Sequence, residues 1–401
     1  MLRKKDKISF IIILILIVII NKGFKFIYWP IELGNITIGL VSCVLAIIWF
    51  LCRINKKGAN FSSIVLFFTF FPFFSIINSV SIGESFSSCL ARSFTYSFLW
   101  VTYFLLHYFE IRERTILNVF GFIGLFIFVV QIVQQFTYPN VFFGVLPDET
   151  SIGGLIYVEI RNGILRFRNE ADYGVIYAFA LLLFLKGKYT TKNFVFFLIL
   201  AVSVYLTLTR QIILSFMLVV LFSQLKYIQK KLIKTLFILF LSVVVLWYYY
   251  DSLFGAFLER TEYEVNEVND KYVRILAASY LWNDYWKSFS TFLFGYGFPS
   301  LYETKLGKNF AYYVVDVGFI GAMWKYGIMY VSLCFYVLYS LCIKLKNKVP
   351  KYVKFYVFYV IIVIVMIFPM GVNPAKTIIW PFLLYICDLH INKSPLALKT
   401  I

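Results

Sequence analysis

Charge is scarce in this chain. Only 14% of its 401 residues are Asp, Glu, Lys or Arg, whereas 61% are hydrophobic. A water-soluble core of this size needs far more polar surface to cover it, so that class is excluded. Histidine is scarcer still, with two residues, His107 and His390, and both fall at ends of apolar runs that are expected to face the cytoplasm. That placement argues against a histidine base on the outer face. The six cysteines (Cys43, Cys52, Cys89, Cys334, Cys342, Cys387) lie in or at the ends of apolar runs. They show no metal-ligand spacing and read as small core residues, so no metal is expected. A row of carboxylates at mid-membrane and paired interrupted helices in two halves are also missing, which argues against an ion-coupled transporter. No soluble domain, internal repeat or low-complexity tract stands out.

What fills the chain instead is a succession of apolar runs, each about as long as a bilayer core is thick. Spans are predicted near 8–21, 36–52, 62–80, 89–109, 115–137, 173–186, 193–208, 211–229, 232–250, 328–345, 352–369 and 376–391. The expected fold is therefore all-α, a polytopic membrane helix bundle of about twelve spans forming one membrane-embedded domain over 1–401. The first run follows Met1-Leu-Arg-Lys-Lys5 and lacks a small-residue cleavage site, so it reads as a retained signal anchor.

The net charge of +18 looks like a nucleic-acid signature until it is sorted by side. With both termini cytoplasmic, the excess Lys and Arg falls almost wholly on the inner segments: Arg3 to Lys7, Arg53 to Lys57, Arg112 with Arg114, Lys186 to Lys192, Lys226 to Lys234, and Lys344 to Lys354. The positive-inside rule accounts for it, and no nucleic-acid partner is expected. A full span over 313–326 would turn Lys344 to Lys354 outward against that rule. The preferred reading is a short helix at the outer surface, broken near Gly327.

Two outer segments are too long for tight hairpins: 138–172, and 251–312, or 251–327 with the short helix included. Long ordered loops in compact proteins tend to carry function. Apolar positions at helical spacing (Val273, Leu276, Ala277, Tyr280, Leu281) within 259–287 predict an amphipathic helix against the outer mouth.

Polar chemistry converges on this outer side. The first loop carries Arg161, Arg166, Arg168, Glu170 and Asp172; the second carries Arg260, Lys271 and Arg274, then Gly295-Tyr-Gly297, with Asp316 ahead of the short helix. Arg210 stands in Leu206-Thr-Leu-Thr-Arg210, between two apolar runs with no polar loop separating them. Its guanidinium must lie at a membrane surface or just beneath, where a carboxylate, carbonyl or phosphate has to satisfy it. Several guanidiniums beside the outer leaflet suit a diphosphate head group, because arginine binds phosphate bidentately and stays charged at low dielectric. Carboxylates there can take a proton from an attacking sugar hydroxyl, and arginines can stabilise a leaving diphosphate without a metal or cofactor. Plainer readings stand beside these: Asp316 as a helix cap, Gly-Tyr-Gly as a turn, Arg274 as a helix-surface residue, and Glu262, Glu264 and Glu267 as a solvated face.

In order, an Arg-containing outer segment enters a span (Arg166 to Tyr177) and a Thr-x-Thr-Arg junction follows (Thr207 to Arg210). An arginine then precedes a Trp-containing helix and a Phe-Gly-x-Gly turn (Arg274, Trp282, Phe294 to Gly297). A polar residue finally opens a glycine-broken helix (Asp316, Gly318, Gly327). This order, over roughly 160–345, resembles the O-antigen polymerase and O-antigen ligase superfamily of bacterial envelope proteins. The resemblance implies a GT-C-like membrane glycosyltransferase in the bacterial cytoplasmic membrane. It would act at the outer face on undecaprenyl-diphosphate-linked oligosaccharides for capsule, exopolysaccharide or O-antigen. Arg210 and Arg274 would contact the diphosphate with Arg166 or Arg168 assisting, and Asp316 or Glu170 would serve the acceptor hydroxyl. Asp316 stands where the ligases carry a histidine, which favours a repeat-unit polymerase, with a chain-length regulator and a flippase as expected partners. The alternatives are an O-antigen ligase and a lipid-linked-oligosaccharide flippase.

Overall fold

In an apolar surrounding each backbone N–H and C=O must find a partner within the chain, and helices supply one locally. The computed structural model describes residues 4–26, 31–51, 59–140, 142–143, 158–161, 164–167, 171–187, 190–228, 273–297, 314, 317–364, 367–368, 370–371 and 373–392. The architecture is helical. In chain order the helices are α1 (Lys4–Ile20), α2 (Ile31–Leu51), α3 (Ser62–Phe70), α4 (Ile76–Ser81), α5 (Phe86–Ser97), α6 (Thr102–Phe109) and α7 (Glu113–Thr137). After them come α8 (Asp172–Gly187), α9 (Thr191–Leu206), α10 (Arg210–Ile228), α11 (Val273–Tyr285), α12 (Phe289–Phe294), α13 (Gly318–Tyr339), α14 (Lys351–Val363), α15 (Pro374–Thr377) and α16 (Ile379–Ile391). A helix stands at every expected apolar run except 232–250, which lies outside the described residues. Among the described residues three helical stretches are long and apolar enough to cross a membrane: Ser62–Ser81, Glu113–Thr137 and Gly318–Lys344.

Between α7 and α8 the long first loop contributes a small antiparallel hairpin, β1 (Val158–Arg161) with β2 (Ile164–Phe167), in a register that opposes Glu159 to Arg166. The alternation Val-Glu-Ile-Arg and Ile-Leu-Arg-Phe around Asn162-Gly163 is the sequence signal for such a pair. Gln135 of α7 pins it, donating to the Leu165 carbonyl (2.7 Å) and accepting from the Leu165 N–H (2.8 Å).

The core centres on α16, whose residues Ile379 to Cys387 are buried on every side, as expected of a helix apolar all round. Around it, α7 and α8 come close because Gly124 meets Gly174, where a Cβ would lie 2.9 Å from the partner's Cα. A helix stands in that stretch, α11 over 273–285, with Ala277 and Leu281 buried and the helix packed on α13. Residues 259–272 lie outside the described part.

The expected break at Gly327 is present, with φ 75° and ψ 172° inside α13. In an unbroken helix the carbonyls of Trp324 and Lys325 would accept from residues 328 and 329. Here they accept from the turn after α12 instead, Tyr296 N–H at 2.8 Å and Gly297 N–H at 2.6 Å. The Tyr285 hydroxyl meets the released N–H of Ile328 and donates to the Phe292 carbonyl (2.8 Å). Burial pushes that phenol up to about 12, so it keeps its proton for the second bond. On its other side the turn is held by α4, where Asn78 donates to the Gly295 carbonyl (2.7 Å) and Ser79 to that of Tyr296.

Hydrogen bonds also tie the helices at the end that holds Asp6. Arg112 pairs with Asp6 at 3.0 Å, and Glu113 binds both Tyr352 (2.7 Å) and His390 (2.8 Å). Asp388, fully buried, accepts from the Asn60 amide (2.8 Å), the Asn60 backbone N–H (3.3 Å), His107 (3.1 Å) and the Tyr103 hydroxyl. Each histidine thus faces a carboxylate at this end.

Two expectations follow. Gly327→Ala puts a Cβ onto the Leu293 carbonyl at a left-handed φ. It should lower stability by about 2–4 kcal/mol in thermal unfolding of the detergent-solubilised protein. Gly39→Ala, which meets only Thr95 at 3.4 Å, should change little. Asp388→Ala removes the acceptor shared by four donors of Asn60, Tyr103 and His107, and should cost about 3 kcal/mol by the same measurement.

Candidate functional site

At the opposite end of the bundle the first turn of α8 carries Asp172, an acidic residue where the helix dipole favours one. Its carboxylate accepts from the Tyr356 hydroxyl of α14 (3.1 Å) and lies 3.8 Å from the Lys376 ammonium of α15. Both charges are largely withdrawn from solvent, with side-chain exposures of 7% and 14%. The adjacent Tyr173 is fully buried, donates to the Ala375 carbonyl (3.1 Å) and accepts from Asn21, just past the C-terminal end of α1 (3.1 Å). Lys376 is presented by a short capped turn. Asn373 accepts from the Ala375 N–H (2.9 Å), Pro374 opens the helix, and Thr377 receives the Gly371 N–H (3.0 Å). The Gly371 carbonyl in turn accepts from Tyr326, one residue before the break in α13. The charged pair and the docked Gly295–Gly297 turn therefore belong to one connected polar region.

Arg210 is the first residue of α10. The rings of Phe179 on α8 and Phe216 on α10 stack at 5.5 Å, and Phe216 also stacks with Phe197 on α9 at 6.2 Å. Phe179 follows Asp172 by seven positions and Phe216 follows Arg210 by six. With α9 folded back between them, the first turns of α8 and α10 lie level. The junction ahead of Arg210 is strained: Leu208 adopts φ 46° while buried, a conformation that costs a branched side chain about 1–2 kcal/mol.

Arg274 occupies the first turn of α11, the helix that packs on α13, and Arg166 lies on β2 beside the pinned Leu165. Backbone position is what the structure gives for Arg166, Arg210 and Arg274. Arg168, Glu170 and Asp316 lie outside the described residues. The charged groups that the structure does resolve here include one the sequence reading passed over. Lys376 opens the last apolar run, and its signal was Asn373-Pro374, a helix-start pattern that fixes a lysine in a first turn. Asp172 was visible only as one more acid of the first loop.

On the flank of the region Arg92 lies 3.9 Å from the buried Glu84, so it is tied inward as well as able to reach the surface. Lys325 sits over the Tyr96 and Tyr326 rings at 5.4 and 5.5 Å. Asp284 accepts from the Trp324 indole (2.8 Å) and pairs with Lys287, whose pKa that hydrogen bond raises. Chemically, the Lys376 ammonium is a donor of the kind that binds phosphate oxygens, and the Asp172 carboxylate 3.8 Å away is an acceptor. Among the described residues no cluster of three or more His, Cys, Asp or Glu is placed to hold a metal ion.

No protein-family model matches the chain, and no curated protein matches it.

Removing Lys376 takes the counter-charge from the buried Asp172 carboxylate. Lys376→Met should lower stability by about 3 kcal/mol, and the double change Asp172→Asn with Lys376→Met should recover part of it. Thermal unfolding of the four proteins in a double-mutant cycle measures the coupling; additive losses would show that the pair does not interact.

Proposed function

We propose that the protein polymerises lipid-linked oligosaccharide repeat units, transferring an undecaprenyl-diphosphate-linked glycan to a second lipid-linked unit at the outer face of the bacterial cytoplasmic membrane. The observation that carries the reading is the level placement of the Arg210 backbone with the withdrawn Asp172–Lys376 pair, at the end of an apolar bundle. Cations at the apolar boundary suit a diphosphate head group. The order of motifs from Arg166 to Gly327 supports the same reading. In this reading the bundle is a GT-C-like transferase of about twelve spans, with both termini cytoplasmic.

The acceptor's sugar hydroxyl attacks the anomeric carbon of the donor glycan. The bond from that carbon to the diphosphate oxygen breaks, the lipid diphosphate leaves, and the hydroxyl proton passes to a carboxylate. Arg210 and Arg274 hold the leaving diphosphate with Arg166 or Arg168, and Lys376 adds an ammonium. Asp316 or Glu170 serves the acceptor hydroxyl. A chain-length regulator and a flippase supplying the outer leaflet are the expected partners.

A flippase would instead need a polar path from one end of the bundle to the other. Between Lys376 and Asp388 the residues of α16 from Ile379 to Cys387 are buried and apolar, which favours the transferase. A ligase acting on finished polymer differs only in its acceptor. Its loss leaves long polymer on the carrier, whereas loss of a polymerase leaves single repeat units.

The test is elongation of lipid-linked repeat units by the purified protein in liposomes. Arg210→Ala should cut polymer formation about 100-fold or more and leave single repeat units on the carrier. Unchanged polymer length in this variant would remove the proposal.

A further inference from the structure

Where α11 gives way to α12 the surface carries four rings in a row. Trp282 meets Trp286 with centroids 5.5 Å apart, Trp286 stacks on Phe292 at 5.0 Å, and Phe292 stacks on Phe289 at 6.3 Å. Trp282, Trp286 and Phe289 are 38%, 52% and 75% exposed. Trp282 and Trp286 stand one turn apart and share a face of α11, while Ala277 and Leu281 are buried on another. The elbow that presents these rings is firmly held. Ser288 caps α12 by accepting from the Thr291 N–H (3.1 Å), Tyr285 donates to the Phe292 carbonyl (2.8 Å), and Asp284 accepts from the Trp324 indole of α13 (2.8 Å). A contiguous aromatic patch on a fixed elbow marks an interaction surface.

Depth identifies what covers it. α12 is docked on Ser62–Ser81, one of the stretches long and apolar enough to cross a membrane. At the C-terminal end of α12 the Phe294 ring lies 5.6 Å from those of Phe71 and Phe74. Near its N-terminal end Ser290 donates to the Asn78 amide oxygen (2.6 Å). Asn78 and Phe74 precede Ser81 by three and seven residues, about 5 and 10 Å of helix. α12 therefore sits below the end of that stretch, not beyond it. Phe70, Phe74 and Ile77 are exposed on the same stretch, and Phe74 carries their apolar surface onto α12 through Phe294. Tryptophan suits the boundary of a bilayer, having an apolar body and an N–H for water or head groups. Lys287, exposed between Trp286 and Phe289 and paired with Asp284, brings an ammonium to the same level. A glycan platform needs its rings in water, clear of the membrane-crossing helices.

We propose that the α11–α12 elbow is inserted into the lipid leaflet, with Trp282 and Trp286 at the level of the phospholipid head groups and Phe289 against the acyl chains. The leaflet is the one on the Lys376 side, which the proposed orientation makes the outer one. This inference rests on Ser62–Ser81 crossing the membrane and does not depend on the transferase reading. Insertion ties the last turn of α11, the helix whose first turn holds Arg274, to the lipid surface.

The test uses the full chain in nanodiscs of phosphatidylethanolamine and phosphatidylglycerol, with a fluorescent coumarin amino acid in place of Phe289 or, in a second protein, Trp282. Quenching is measured with phosphatidylcholine spin-labelled near the top of its acyl chain, and separately with aqueous iodide. Position 346, exposed in the turn after α13, is the water control, and position 129, exposed on α7, is the lipid control. Lipid quenching at 289 and 282 should exceed that at 346 by about threefold or more, and iodide quenching should be weaker by about the same factor. Each labelled protein should keep the melting temperature of the parent, because the replaced side chains face outward. Lipid quenching no greater than at 346, with iodide reaching both positions alike, overturns the proposal. Protection from iodide that appears only when a soluble oligosaccharide is added assigns the surface to a glycan and overturns it equally. Strong lipid quenching in protein without elongation activity supports the insertion and counts against the transferase alone.

Discussion

A hydrogen-bond exchange at Gly327 organises the end of the molecule where the polar chemistry gathers. Breaking a helix releases carbonyls and N–H groups that a hydrocarbon surrounding does not satisfy. Here the Gly295–Gly297 turn takes the carbonyls of Trp324 and Lys325, and Tyr285 takes the N–H of Ile328. Glycine is required on both sides of the contact. Gly295 and Gly327 have positive φ, and a Cβ on either would collide with the partner's backbone. The break therefore fixes α11 and α12 against α13. Through Tyr326 and Gly371 it also fixes the turn that presents Lys376.

Charge is rationed between the two ends of the bundle. At one end Asp388, Glu113 and Asp6 are each compensated by donors from neighbouring helices, and at the other Asp172 is compensated by Tyr356 and Lys376. The apolar residues of α16 lie between. Compensation differs in kind. Asp388 receives four donors and has no capacity to spare, which marks a structural knot. Asp172 and Lys376 lie 3.8 Å apart, near a buried Asn21 Oδ1 that has no hydrogen-bond partner among the described residues. The contrast explains why the histidines, conspicuous in so short a polar inventory, hold the fold together while a lysine overlooked in the last apolar run joins the candidate site.

Much of the helical layout was legible because run length and hydrophobicity are properties of the chain in one dimension. The break at Gly327 was legible too, since the basic cluster from Lys344 to Lys354 constrained where α13 had to end. The hairpin was not anticipated, although Asn162-Gly163 between alternating segments announced it. Arg210 was singled out from its place between two apolar runs, and the structure sets its backbone level with the first turn of α8. Lys376 was passed over because a lone lysine at the edge of a long apolar run resembles an interfacial anchor.

From residue order alone came the helices, the broken one among them, and the concentration of arginine beside particular runs. Each follows from local composition, and no distant contact is needed to know it. Folding in three dimensions settled the partnerships: Asp172 with Tyr356, 184 residues away, and Asn78 with Gly295, 217 residues away. Which buried charge meets which donor depends on how helices turn about their axes when they pack, and hydropathy carries no record of that rotation.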